Sequence, residues 1–349
     1  MREGLENRIY KKNLNYVKWG IVWCFMAAIP SGTVATFQTF AGEAEPFATL
    51  AMLSLMMLPF MIASMQDYVS AVTAFVKVLI SGKIREFFRT IVTKPARYFV
   101  AASIFGGPVA LGCYTASIML AGPVYSVAIA VTHPATTAFL SWVFLKEKIS
   151  PRGWFGILLC IIGPVTLGWV APTAEVYPYF AVGIILAVVT AFGWGAELTV
   201  CAAGMDFMDS DVAVTIRMLF SGTFSLILVP IAAVFSGITV GQSLGFYFSA
   251  FASGSFAWLV PCGIVCAIAY MFFYKGANMA GASRAAAINP LLAVTATILG
   301  IVIWGAELNW NFFVGLAILL VGGVLVIGRP ADLFTLRDVK KAMKVKGGE

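Results

Sequence analysis

The sequence predicts an all-α membrane protein: ten transmembrane helices built as a 5+5 inverted repeat, with both termini cytoplasmic. Three observations predict it. Of 349 residues, 60% are hydrophobic and only 11% charged, against about a quarter charged in soluble domains. The basic residues gather in alternate connections. Residues 121–168 read again, more weakly, in 280–327, at a constant shift of 159.

A spanning helix needs roughly 20 mostly apolar residues. Ten runs qualify: 17–39, 47–66, 97–119, 122–143, 152–170, 178–203, 212–236, 256–278, 282–304 and 310–328. Barrel strands would alternate over ~10 residues. These runs are continuous, and helices satisfy their own backbone groups in lipid. The first run is too long for a signal-peptide core and no small-residue cleavage site follows, so the N-terminus reads as uncleaved. The chain divides into a cytoplasmic segment 1–16, a first repeat 17–170, a second repeat 178–328 and a basic cytoplasmic tail 329–349.

All 23 Lys and Arg fall at the N-terminus, in the second and fourth connections, beside the sixth (Arg217) and eighth (Lys275, Arg284), or in the tail. The odd-numbered connections carry only Glu43, Glu45, Glu175 and Glu307. The positive-inside rule then places both termini in the cytoplasm. The net charge of +7 reads as membrane orientation and argues against a nucleic-acid partner. Within the second connection, apolar positions 72, 75, 76, 79, 80, 84, 87, 88 and 91 keep helical spacing between basic residues. They predict an amphipathic helix over 70–95 on the inner interface, facing anionic lipid; the alternative is an extension of span two.

The repeat superposes Ala121-Gly122 on Ala280-Gly281, Gly156 on Gly315 and Gly163 on Gly322. Each copy has an intramembrane X-Pro, His133-Pro134 and Asn289-Pro290, after a three-residue slip, and an acid, Glu147 or Glu307, one residue out of register. The copies lie five spans apart, so they sit in the bilayer with opposite orientation. Inverted repeats are the usual construction of secondary transporters, giving two near-equivalent packings whose exchange is alternating access.

The order Pro134, Glu147, Gly156, Gly163, echoed at 290–322, resembles the EamA-type branch of the drug/metabolite transporter superfamily over roughly 17–328. The resemblance implies a central cavity lined by spans 1, 3, 4, 6, 8 and 9, with spans 5 and 10 peripheral, and export as the direction. The long basic connection 67–96 departs from it, as does WGAELNW where the first repeat has FLKEKIS.

His133 is the only histidine. Ten residues from Pro123 at 1.5 Å each put it ~15 Å deep, near the midplane. Thr137 shares its face, with Ser126, Ala130 and Ser141. An intramembrane ionisable residue is a functional candidate by default, and histidine titrates near neutrality, which makes protons a candidate coupling ion. The alternative is a neutral ring bonded to a neighbouring helix. Pro134 lacks an N–H and breaks the helical ladder; Pro290, Gly107 and Pro108 are the other candidate hinge or helix-break positions. Asn289 is the counterpart of His133 in span nine, with a plain helix–helix hydrogen bond as its alternative. Glu197 offers a carboxylate for an amine or a proton, or an ion pair with Arg217, Lys275 or Arg284. Asp67 reads as a solvated helix end at the inner interface. Trp23, Tyr114, Trp194, Tyr270 and Tyr274 can give a ligand an apolar face and a polar tip; bundle packing is the alternative. The glycines of spans five and ten suit a homodimer or packing inside the bundle.

The six cysteines, at 24, 113, 160, 201, 262 and 266, fall inside spans and act as small apolar residues. With no CxxC, no HExxH and one histidine, a usual zinc site cannot form, and no cofactor is expected. No Walker A or GxSxG occurs, so neither an ATPase of that kind nor an enzyme is expected. The short loops leave little surface for a receptor or scaffold. The expected function is secondary active transport of a small organic solute, an amine or amino acid, in the bacterial inner membrane. With no basic residue predicted near the midplane, phosphates and dicarboxylates are disfavoured.

Overall fold

The computed structural model describes residues 2–145, 151–168, 177–202, 204, 208–280, 285, 288–289, 291–305 and 308–327. Glu147, Glu175, Arg284, Pro290, Glu307 and the tail 329–349 lie outside these. Among the described residues every regular element is helical. They are α1 Arg2–Glu43, α2 Phe47–Leu53, α3 Leu58–Ile80, α4 Ile84–Thr90, α5 Lys94–Ile104, α6 Gly112–Ala121, α7 Pro123–Ala130 and α8 His133–Leu145. Then come α9 Pro151–Gly168, α10 Phe180–Ala202, α11 Ser210–Phe235, α12 Val240–Ala250, α13 Gly254–Ala280, α14 Leu291–Trp304 and α15 Trp310–Ile327. Five stretches are long and apolar enough to cross a membrane: Lys18–Glu43, Lys94–Ala121, Phe180–Cys201, Ser210–Phe235 and Gly254–Met279. Pro151–Gly163, Leu292–Trp304 and Trp310–Gly322 are shorter apolar helices.

Helical segments lie over all ten predicted runs, but the second run is mis-registered. The chain turns after Leu53 and α3 starts afresh at Leu58, with Pro59 in its first turn, where the missing N–H breaks no helical bond. Asp67 is therefore at the middle of a 23-residue helix, and the expectation of a solvated helix end is wrong. The single amphipathic helix over 70–95 is also corrected. Its first half continues α3, as the alternative held, and the chain then turns at Ser81-Gly82 into the short α4.

That turn has a twin. Gly82 has φ 69° and Gly237 φ 75°. Gly82 N–H donates to Leu79 C=O and Lys83 N–H to Val78 C=O; Gly237 donates to Val234 and Ile238 to Ala233, each at 3.0 Å. This paired closure is the Schellman motif, which needs a left-handed residue after the helix. A short helix follows both times, α4 and α12. The second of these helices lies between two apolar runs, and Thr239 and Gln242 form a capping box at its start.

Two helices are interrupted near the molecule's centre. The stretch Phe105–Leu111, between α5 and α6, is π-helical around Pro108. The fourth run breaks between Ala130 and His133, where Val131 and Thr132 make a turn.

Polarity runs inside out. Ile80 is 80% exposed and Val302 74%, whereas Asp67, Arg217 and Glu197 are 0%, 1% and 3%. Water outside would penalise that arrangement; a hydrocarbon surround does not. At one side α9 and α15 pack together. A Cβ on Gly163 would strike Leu319, and one on Gly322 would sit 3.0 Å from Cys160 Sγ and the Gly156 carbonyl. These glycines are used within the chain, so they supply no argument for a dimer.

A candidate substrate cavity

A cavity opens among α1, α3, α6, α8, α10, α11, α13 and α14, with about 800 Å³ of empty space counting the part that opens outward. Of the residues singled out from sequence, His133, Asn289, Glu197, Tyr114, Trp194, Tyr270 and Tyr274 are on its wall. So are Asp67 and Arg217, which means that spans two and seven line it as well as the six implied by resemblance. Trp23 and Thr137 are not on the wall. Trp23 stacks on Phe272 at 5.0 Å and lies 3.9 Å beneath Lys275 Nζ. Thr137 donates to the His133 carbonyl at 2.9 Å.

At one end of the cavity is an ionic cluster. Arg217 Nε donates to Glu197 Oε1 at 2.7 Å and Nη2 to Oε2 at 3.3 Å. Its Nη1 reaches Asp67 Oδ2 at 3.4 Å, and Ser221 donates to that same oxygen. The Tyr270 ring lies 4.6 Å from the guanidinium carbon, and its hydroxyl accepts from Nη2 at 3.2 Å. Tyr274 donates to Glu197 at 3.4 Å. The Glu197–Arg217 alternative is thus realised, but inside the cavity wall. Arg217, which the sequence placed beside a connection, is on the cavity wall.

The glycines beside Pro108 explain themselves here. A Cβ on Gly106 would collide with the Glu197 carboxylate and Arg217, and one on Gly107 with Ser221 Oγ. Their smallness gives the ion cluster room. The π-helical turn that carries them is a feature that recurs at functional sites.

At the other polar end Asn289 and His133 meet. Asn289 Nδ2 and His133 Nε2 are 2.6 Å apart. An amide nitrogen only donates, so Nε2 accepts and the ring proton sits on Nδ1, given this assignment of the amide. The imidazole stands edge-on to Trp194, with centroids 6.2 Å apart, and Trp194 packs on Tyr114 at 5.1 Å. Asp67 Oδ1, His133 Nδ1 and Trp194 Nε1 are buried without a hydrogen-bond partner among the described residues. Buried polar atoms are normally paired; these three belong to residues of the cavity wall, one acceptor at the acid end and two donors at the imidazole–indole end.

Behind Asp67, Gln38 Nε2 donates to Gln66 Oε1 at 2.6 Å, and Cys262 and Cys266 lie against Gln66. Among the described residues, no group of three His, Cys, Asp or Glu could hold a metal ion.

Sequence reading missed Asp67 and Arg217 as cavity residues. Pro59 was the available signal for the first. For the second it was Asp209, which caps α11 by accepting from Asp211 N and Val212 N. That cap sets Arg217 about two turns, ~10 Å, inside the helix.

A model of the EamA-like transporter family matches residues 18–169 and again 181–328. Protein LicB of Haemophilus influenzae is 23% identical over 227 residues, 64% of this chain and 73% of that protein. A crystal structure of a protein at 16% identity superposes with TM-score 0.53 over 88% of this chain and 96% of its own, a likeness of fold alone.

Proposed function

The chain belongs to the EamA-like transporter family, and from that premise we propose that it is a secondary transporter for a small solute with a cationic nitrogen at one end and a hydrogen-bond acceptor at the other. An amino acid or amino alcohol fits this description. The observation that carries the reading is the cavity wall itself. Its acid end offers two carboxylates to one guanidinium and is flanked by Tyr270, so it favours a cation by charge and by the face of the ring. Arg217 is already engaged by both acids, so phosphates and dicarboxylates stay disfavoured for a different reason from the one the sequence suggested. The imidazole–indole end supplies two free donors.

The mechanism is alternating access between two inverted five-span halves. Asp67, Tyr114 and His133 come from the first half; Trp194, Glu197, Arg217, Tyr270 and Asn289 come from the second. The twin turns at Gly82 and Gly237 support the inverted arrangement. Movement of one half against the other would then open the same wall to each side in turn. The reading includes export from the cell, residence in the inner membrane and cytoplasmic termini.

Proteoliposome counterflow tests it. Labelled phenylethylamine, which carries the cationic nitrogen with a ring in place of the acceptor and so probes the acid end alone, and labelled succinate are offered to proteoliposomes loaded with the same compounds. Amine exchange that is lost in Glu197→Gln, with no succinate exchange, is expected. Succinate exchange without amine exchange would overturn the cation reading.

A further inference from the structure

The charges of the cluster do not balance. Arg217 brings one positive charge, Asp67 and Glu197 bring two negative, and the side chains are at most 4% exposed. An uncompensated ion in such surroundings is strongly unfavourable. The hydrogen bonds identify which carboxyl is left over. Both oxygens of Glu197 receive the guanidinium, and Tyr274 adds a third donor. Asp67 receives only on Oδ2, from Ser221 and, at 3.4 Å, from Nη1. Its Oδ1 is buried and without a partner among the described residues, and Asp67 lines the cavity.

Among the described residues, no other element packed around Asp67 offers a second positive charge. Glu197 comes from α10, Arg217 and Ser221 from α11, Cys266 and Tyr270 from α13. The π-helical turn presents Gly106 and Gly107, α6 presents Tyr114, and α1 presents Gln38 through Gln66.

We propose that Asp67 is the exchange site of the transporter: Oδ1 carries a proton while the cavity is empty, and loses it when the cationic nitrogen of the solute takes its place. The inference rests on the cation reading above. In the step, the O–H bond of Asp67 breaks, the proton passes to water, and the carboxylate left behind pairs with the ammonium. The cluster is neutral before, as Asp67-H, Arg217⁺ and Glu197⁻, and neutral after, as Asp67⁻, Arg217⁺, Glu197⁻ and the bound cation. Proton and amine cannot both occupy Asp67, so one is exchanged for the other. An inward proton gradient would then drive the amine outward. His133 lines the same cavity, with Nε2 occupied by Asn289 and Nδ1 buried without a partner among the described residues, and it orients the solute.

Infrared spectroscopy of the purified protein at neutral pH, with a proton-release assay using phenylethylamine in weakly buffered solution, tests this. The empty protein should show the carbonyl stretch of a protonated buried carboxyl, absent in Asp67→Asn, retained in His133→Gln and displaced in Ser221→Ala, which keeps the carboxyl but removes its donor. Phenylethylamine should abolish the band and release one proton per molecule bound. A band that survives Asp67→Asn and disappears in Glu197→Gln would overturn the assignment. Phenylethylamine binding without proton release, to protein that lacks the band when empty, overturns the exchange while leaving the cation reading intact. Failure of phenylethylamine to bind at all overturns the cation reading, and the exchange with it.

Discussion

Gly106 shows how much of this cavity depends on single atoms. A methyl group there has no space, because the Glu197 carboxylate and Arg217 occupy it. Gly106→Ala should cost about 1–3 kcal/mol by overpacking and remove any phenylethylamine-induced thermal shift. Gly42, where a Cβ would meet nothing within 4 Å, is the control, and Gly42→Ala should leave melting and the shift unchanged. Equal melting temperatures for the two variants would sink the idea. At this scale the sequence was unevenly legible. His133 and Asn289 stood out because each precedes a proline at matching places in the repeat. Asp67 and Arg217 did not. A hydropathy window averages one charge over ~20 residues, and a charge near the edge of a run looks like a flank. Their partnership spans 150 positions, so no local spacing betrays it.

Elements were easier to foresee than their interruptions. Long apolar runs dictate helices in lipid whatever their neighbours do, and helices lie over each run. The break after Leu53 and the π-helical turn depend on what packs nearby, which periodicity does not record. The twin turns at Gly82 and Gly237 were readable in hindsight: Ser-Gly follows the apolar run in both cases. The turn at Gly82 is also tied down. Lys83 Nζ bonds Asp209 at 2.6 Å and lies 3.5 Å from Asp211. Partial burial works against the Lys83 charge, but its hydrogen bond to Asp209 and the two carboxylates prevail and hold its proton above the usual lysine range. The contact's contribution is therefore intact below the ordinary lysine value and is lost only as pH rises through the higher folded one. Both partners are about a third exposed or less, so the pair is worth under ~1 kcal/mol. Lys83→Met should lower stability by no more than that at pH 7. The difference from wild type should shrink in 1 M salt, measured by thermal melting in detergent; a loss that ignores salt would mean packing, not charge.

For the whole molecule, the proposed inverted arrangement predicts that the two turns face opposite compartments. Ser81→Cys and Gly241→Cys, each made in a Cys113→Ala background, place a thiol beside each turn. Cys113 is the one native cysteine not fully buried. On intact cells a membrane-impermeant maleimide should label Gly241→Cys and should reach Ser81→Cys only after permeabilisation. Labelling of both from one side would rule out the inverted halves. The ion cluster also bears on how such a chain is made. An arginine opposes insertion of an isolated helix, by roughly 2.5–3.5 kcal/mol when it is at the centre, and α11 carries Arg217 among apolar neighbours ~10 Å from its start. Both of its carboxylate partners, Asp67 on α3 and Glu197 on α10, precede it in the chain. They leave the ribosome first and are in the bilayer when Arg217 arrives. The order of synthesis thus supplies the counter-charge before the charge, and α11 can enter the membrane as the last piece of a site already two-thirds assembled.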